Sequence, residues 1–381
     1  MICMVKDIKF QIKDFGPISK ADIDIKPLTI FIGKNNTGKS YAALLLYSLM
    51  KAAKVSWCKR YRYEQMELEK YIKNSITRQI ERIFDNYLKE MINKNSKDTC
   101  LQFSIMKNDK GYTFSFSEDE PMLQLYENTE LKGLIFFKDV MLLPSSRSGI
   151  LDAYKIIAAS YLKDADLTKE YPLYGGIADF IHMLLKYGDK KVGLKDNEDL
   201  LNTFEEIVGG NIIIKDDKLY FKDKQYDLSI EVSRARSGIQ ELVPLYLVIK
   251  HFKLDDLLLI IEEPEAHLHP ALILELVRIL ELLIRRGAYI LITTHSDYLL
   301  NKLNLLIRLS KIDRASIGYK EDEYLKPDEV SAYLFKYSPE LKSSIAEKLT
   351  VEKEGIPEDE FTNVIDELTK THIKIDIYEG R

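Results

Sequence analysis

Residues Leu257–Pro270 read LLLIIEEPEAHLHP. The five aliphatic residues Leu257–Ile261 have the length and composition of a fully buried parallel strand, and Pro264 closes it. Between them stand two adjacent acids, Glu262 and Glu263. Taking a carboxylate out of water is costly unless it is paired or faces a cation, so two in succession at the end of a core strand point to a metal and a reaction centre. The same letters also describe a strand that ends in solvated acids before a turn, and the rest of the chain decides between the two.

The first deciding signal lies upstream. A strand at Leu28–Ile32 runs into Gly33-Lys34-Asn35-Asn36-Thr37-Gly38-Lys39-Ser40, which matches G-x-x-x-x-G-K-[ST], and an apolar helix, Tyr41–Met50, follows. With a strand before it and a helix after it, this is a phosphate-binding loop rather than a glycine turn capping a helix. Gly33 and Gly38 let the backbone wrap close to a phosphate, and the N–H groups of Asn35, Asn36, Thr37 and the helix start at Tyr41 stabilise negative charge. Lys39 can reach the β and γ phosphates of a nucleotide, and Ser40 can ligate Mg2+.

Further signals lie around the acidic stretch. A second buried strand, Tyr289–Thr293, ends in Thr294-His295-Ser296-Asp297, where His295 could donate to a phosphate oxygen or be structural. Ser233–Glu241 reads SRARSGIQE ahead of an apolar helix, Leu242–Ile249. Ser237, Gly238 and Gln240 there form a second anion site built from free N–H groups, or simply the cap of a helix. Arg147, after a core strand at Leu134–Leu143, could face a phosphate or nucleotide edge, while the serines beside it fit a capping turn.

The remaining chain sets the class. Its 381 residues are 46% hydrophobic with a net charge of −5, which fits one large or two ordinary globular domains and argues against a basic-coated nucleic-acid binder, though not against a local patch. Such a patch is offered by Lys51–Tyr63, where basic residues alternate with Trp57, Tyr61 and Tyr63, although a solvated helix end accounts for it as well. There is no membrane-spanning run and no signal peptide, so a cytoplasmic location is expected. Cys3, Cys58 and Cys100 are read as free thiols. Val5–Lys13 and Ile18–Ile25 alternate as a hairpin, Glu64–Asn95 is helical, and Cys100–Met106 with Tyr112–Phe116 forms a hairpin at an insertion's edge.

The order GKNNTGKS, RARSGIQE, LLLIIEEPEAHLHP, ILITTHSDYLL resembles the ABC-type ATPase heads of the SMC and RecF group. Within it the chain looks most like the stand-alone ABC-like AAA ATPases and the OLD-like ATPases. The resemblance implies an α/β P-loop fold with a mixed sheet, N-terminal antiparallel strands and a largely helical insertion. The head is expected at 1–53 and 134–320, a helical and hairpin insertion at 54–133, a helical segment at 151–208 and a small helical tail at 321–381. The segment after His295 is too short for the OLD nuclease domain and lacks its acidic cluster, so a separate nuclease or effector is expected.

Site roles carry over by position. Lys39 and Ser40 match the phosphate lysine and the Mg2+ ligand, Glu262 stands where aspartate is usual as a metal ligand, and Glu263 matches the general base. His295 matches the switch histidine, and Ser237-Gly238 the signature. The resemblance implies an ATP-dependent homodimer with two ATP molecules between the heads, and Glu265–Pro270, with His267 and His269, at their meeting face. Gln79 and Gln102 are the candidates for the coupling glutamine, and neither stands in a recognisable context. One functional reading is an ATPase motor for DNA repair or anti-phage defence. The other is a slow ATP-gated switch or scaffold that restrains a protein partner independently of DNA.

Overall fold

The computed structural model describes residues 7–58, 65–96, 99–117, 120–126, 134–145, 147–151, 153, 175–187, 195–215, 218–357 and 373. The alternation at the N-terminus folds as a hairpin, β1 (Ile8–Phe15) and β2 (Ile18–Ile25), with every inward aliphatic residue buried. Next come β3 (Leu28–Ile32), buried throughout, and α1 (Lys39–Cys58), with the phosphate-loop pattern between them. After α2 (Gln65–Phe84) the chain forms β4 (Cys100–Lys107), β5 (Lys110–Ser117) and β6 (Glu120–Leu125), then β7 (Asp139–Leu143). Helices α3 (Gly175–Tyr187) and α4 (Glu198–Val208) lead to β8 (Gly210–Lys215), β9 (Lys218–Asp223) and β10 (Leu228–Glu231). The chain continues with α5 (Ser237–His251), β11 (Leu257–Glu262), α6 (Pro270–Arg285), β12 (Tyr289–Thr294) and α7 (Asp297–Leu309). It ends in β13 (Val330–Ser338) and β14 (Ser343–Leu349).

Eleven strands make one mixed sheet, ordered β6-β5-β4-β1-β2-β14-β13-β3-β12-β11-β7, and β10-β9-β8 form a small separate sheet. Neighbours from β13 to β7 are parallel, whereas β2, β1, β4, β5 and β6 are antiparallel. Side chains alternate across the parallel strands. Ile30, Ile32, Leu259, Ile261 and Ile292 pack into the layer holding α3 to α7, while Phe31, Leu258, Ile260 and Leu291 face α1 and α2. By this period Glu262, two residues after Ile260, points to the face where α1 begins. None of the helices described is long and apolar enough to cross a membrane.

The expected hairpin of β4 and β5 forms and joins the main sheet: β4 pairs with β1, Phe10 opposite Ile105, and β6 extends the sheet further. β6 carries Pro121 and alternates between exposed and half-buried positions, which masks a strand in the sequence but suits a sheet edge. The segment 321–381, expected as a helical tail, instead supplies β13 and β14 to the middle of the sheet. Val330–Phe335 is buried without a break because both faces of β13 are covered, Val330, Ala332 and Leu334 in one core and Tyr333 and Phe335 in the other, and this removes the alternation that marks a half-exposed strand. The helix expected around Pro357–Leu368 lies outside the described residues apart from Pro357, as do Cys3 and the side chains of Trp57, Cys58, Tyr61 and Tyr63, while Cys100 is a free thiol.

Candidate active site

The phosphate loop is wedged between the backbone of β13 and the side chains of Pro17 and Ile18. A Cβ on Gly33, at φ +142°, would lie 2.2 Å from the Phe335 carbonyl oxygen of β13, and one on Gly38, at φ +96°, would lie 2.7 Å from Ile18 Cγ1. Only glycine permits both conformations and both approaches. Within the loop the Thr37 hydroxyl donates to the Lys34 carbonyl at 2.8 Å. Lys39 is buried, and its Nζ donates to the carbonyls of Gly33 at 2.7 Å and Lys34 at 2.8 Å. Burial lowers its pKa, while the negative charges of Glu263 and Glu265 act the other way.

Glu262 ends β11 with 5% exposure. Burial raises its pKa, and the hydrogen bond from the Ser40 hydroxyl opposes that shift, with Glu263 adding to it and Arg147 reducing it. A buried carboxylate next to a hydroxyl at the start of α1 is a pair of hard oxygen donors, and it fits Mg2+. Among the described residues no three His, Cys, Asp or Glu side chains cluster as an all-protein metal cage.

Glu263 takes a left-handed backbone, φ +43°, immediately after the strand. Its N–H is fixed by Thr293, to the carbonyl at 2.9 Å and to Oγ1 at 3.2 Å, so the kink is anchored to β12. Its carboxylate is partly exposed at the cavity in front of the phosphate loop. His295 Nδ1 stands 3.8 Å from Glu263 Oε1 and 3.9 Å from Glu265 Oε1, its ring half exposed. Glu265 is buried and accepts from the Thr294 hydroxyl at 2.6 Å and from the His295 N–H at 3.1 Å. The expected meeting-face position of Glu265 is therefore occupied inside the chain, where it sets the backbone of His295. The third acid of EEPE was the available signal for it.

Arg147 does not face a phosphate. At 2% exposure it donates to the carbonyls of Pro144 at 2.9 Å, Glu262 at 2.7 Å and Glu263 at 3.1 Å, and pairs with Glu241 at 2.9 Å. Burial lowers its pKa, with Glu241, Glu265 and Glu262 acting against that. Glu241 in turn meets His267 Nδ1 at 3.0 Å, and His269 caps α6 by accepting from the Ala271 N–H at 3.2 Å.

A cavity of about 900 Å3 opens in front of the loop, lined by Asn35 to Tyr41 and Glu263. The structure therefore gathers Gly33, Asn35, Asn36, Thr37, Gly38, Lys39, Ser40, Tyr41, Glu262, Glu263 and His295 around one place. Ser237, Gly238 and Gln240 do not line it. Ser237 is the exposed first residue of α5, and no side chain caps that helix, so an ordinary serine cap does not account for it. Gln79 accepts from Arg82 within α2, and Gln102 lies exposed on β4; neither lines the cavity. The sequence reading missed the opposite wall, where Asn93, Lys94, Tyr337 and Lys342 line the same space.

Comparison with solved structures gives the SMC head domain from Thermotoga maritima, 13% identical with TM-score 0.45, covering 92% of this chain and 100% of that one. An SMC head bound to the C-winged helix domain of ScpA is 12% identical with TM-score 0.50, covering 91% and 98%. An SMC head with an extended coiled coil bound to the C-terminal domain of ScpA, derived from Pyrococcus furiosus, is 11% identical with TM-score 0.48, covering 96% and 100%. No curated protein matches the sequence. The family described as AAA ATPase domain matches residues 7–144 and 160–300, which span the phosphate loop, the acidic strand end and His295. With a mixed sheet of the SMC-head kind and the phosphate loop and Glu263 at one cavity, the chain belongs to the AAA ATPase domain family.

Proposed function

We propose that this chain is a Mg2+-dependent ATPase that dimerises head to head around ATP and drives a DNA-repair or anti-phage defence process with a separate effector. The observation that carries the chemistry is the joining of Ser40 to Glu262, with Glu263 turned by its backbone toward the phosphate-loop cavity. Lys39 and the loop N–H groups take up charge on the β and γ phosphates. Ser40 and Glu262 hold Mg2+, which when bound supplies charge neutralisation at the phosphate oxygens. Glu263 accepts the proton of a water whose oxygen bonds to the γ phosphorus, and the bond to the bridging oxygen of ADP breaks. His295 donates to a γ oxygen.

Ser237 and Gly238 are exposed or half-exposed at the N-terminus of α5 and outside their own chain's cavity, which supports a role against the nucleotide of a second copy. Purified protein should hydrolyse ATP with Mg2+ and form a dimer when ATP is held unhydrolysed. Stimulation by DNA supports the repair or defence reading. A second reading, a slow ATP-gated switch that restrains a protein partner, has its support in the solved head that is bound by a domain of ScpA. DNA-insensitive turnover with ATP-controlled binding of a partner favours it.

A further inference from the structure

The cavity extends well beyond the phosphate loop. Its far wall is built from the N-terminal hairpin turn, the segment after α2 and the turn between β13 and β14, and backbone hydrogen bonds lock these together. Gly16 N–H donates to the Met91 carbonyl at 2.6 Å, Asn93 N–H to Asp14 at 2.9 Å, and Ser344 N–H to Pro17 at 2.7 Å. Asn95 Nδ2 donates to the Lys342 carbonyl at 2.6 Å, so the segment after α2 and the C-terminal turn also hold each other. The wall meets the phosphate loop directly, because Gly38 packs on Pro17 and Ile18 and the Tyr41 ring packs on Gly16.

Two side chains on this wall have the chemistry of a nucleoside site. Asn93 is 4% exposed, and its Oδ1 accepts from the Asn95 N–H at 2.9 Å, which fixes the orientation of the amide. Its Nδ2 is buried and has no acceptor among the described residues. An unused buried amide donor is costly, and at a cavity wall it calls for an acceptor on a ligand. Tyr337, at the end of β13 and opposite Ser344, lines the same space with 58% exposure, an aromatic face left uncovered beside a polar cleft.

We infer that this wall is the nucleoside subsite of the nucleotide pocket: Asn93 Nδ2 donates to a ring nitrogen or carbonyl oxygen of the base, and Tyr337 covers the base or ribose. The inference rests on the phosphate loop binding a nucleotide, and it assigns base recognition to the segment after α2 and to the C-terminal hairpin, outside all four sequence motifs. Neither residue touches the transferred phosphate, so both set affinity and base preference.

The test compares binding of ATP, GTP and inorganic tripolyphosphate to the full chain and to the variants Asn93→Ala and Tyr337→Ala by calorimetry. Tripolyphosphate keeps the phosphate contacts and lacks the nucleoside. The expected result is a loss of about tenfold in ATP affinity in each variant, with tripolyphosphate affinity unchanged and the preference between ATP and GTP reduced in Asn93→Ala. Equal loss for ATP and tripolyphosphate, or unchanged ATP affinity, overturns the subsite. Equal affinity of the unaltered chain for ATP and tripolyphosphate also overturns it while leaving the phosphate loop intact. Failure of the unaltered chain to bind either ligand overturns the nucleotide reading itself. Tyr337 is exposed, so its variant decides the matter if Asn93→Ala does not fold.

Discussion

The guanidinium of Arg147 lies 2.9 Å from the Glu241 carboxylate, and both side chains are almost wholly buried. Glu241 is on α5, whose first residue is Ser237, and Arg147 also holds the carbonyls of Glu262 and Glu263. The pair thus fastens α5 to the acidic end of β11. Removing one partner strands the other charge, at a cost of about 3–5 kcal/mol, whereas an apolar pair of similar volume can be neutral. Arg147→Ala should therefore be strongly destabilised in urea unfolding, and Arg147→Met with Glu241→Leu should recover most of that loss. ATP turnover should stay low in the double variant because the two carbonyls lose their donor. Normal turnover there would make the pair a matter of stability alone.

Replacing Glu263 by Gln keeps the size and the backbone kink but removes the proton acceptor. ATP binding should persist within about threefold while turnover drops at least about a hundredfold, and an ATP-bound dimer should accumulate in size-exclusion chromatography with light scattering. Full turnover in this variant would falsify the assignment of Glu263 as general base.

Lys39 and Glu262 should separate binding from metal use. Lys39→Ala deletes the buried ammonium held over the loop, and nucleotide affinity should fall by about a hundredfold or more with or without Mg2+. Glu262→Gln should bind ATP comparably in EDTA and lose most of the gain that Mg2+ gives. An equal response to Mg2+ in Glu262→Gln and the unaltered chain would remove Glu262 from the metal.

Ser237 is exposed and lies outside its own chain's cavity, so a bulky cation there tests action in trans. Ser237→Arg should leave the affinity of the isolated chain for ATP unchanged and abolish both the ATP-dependent dimer and turnover. A monomer that hydrolyses ATP normally in this variant would show that no second copy completes the site.

Glu281 gives a pH signature of stability. Burial pushes its pKa from 4.5 up to about 7, while the ion pair with Arg285, 2.8 Å away, works in the opposite direction. The unfolded chain gives up this proton near 4.5 and the folded chain only near 7, so between these values the folded state holds more protons and stability falls as pH rises. Below and above that window the contribution is constant. Glu281→Gln should flatten this part of the curve, gaining on the unaltered chain in urea unfolding at pH 8 compared with pH 4. An unchanged difference between the two proteins across the window would show that Glu281 ionises normally.

Much of the site was legible because its parts are local. Gly33–Ser40 declares itself by spacing and by the strand and helix on either side, and Leu257–Glu263 by an aliphatic run that ends in acids. The hairpin of β1 and β2 was equally plain, since one face is buried and the alternation survives in the letters. β13 was not plain, because burial on both faces erases alternation, and β6 was hidden by a proline that an edge strand tolerates. Arg147 shows the limit at a single residue. Its place at a strand-to-helix junction suited a phosphate contact, and the partners that settle its role, Glu241 and the carbonyls of Glu262 and Glu263, lie about a hundred residues away in sequence.

The sequence by itself determined the phosphate loop, the two acids, the trailing histidine and the order in which they occur, because each depends on neighbours within a few residues. Tertiary structure alone decided that Glu262 meets Ser40, that Glu265 holds the backbone of His295, that Arg147 is a buried brace, and that Asn93 and Tyr337 stand across the cavity from the loop. These relations depend on strand order and register. The sheet brings β3, β11, β12 and the C-terminal β13 side by side, from four distant parts of the chain, and no local pattern encodes which strands will be neighbours.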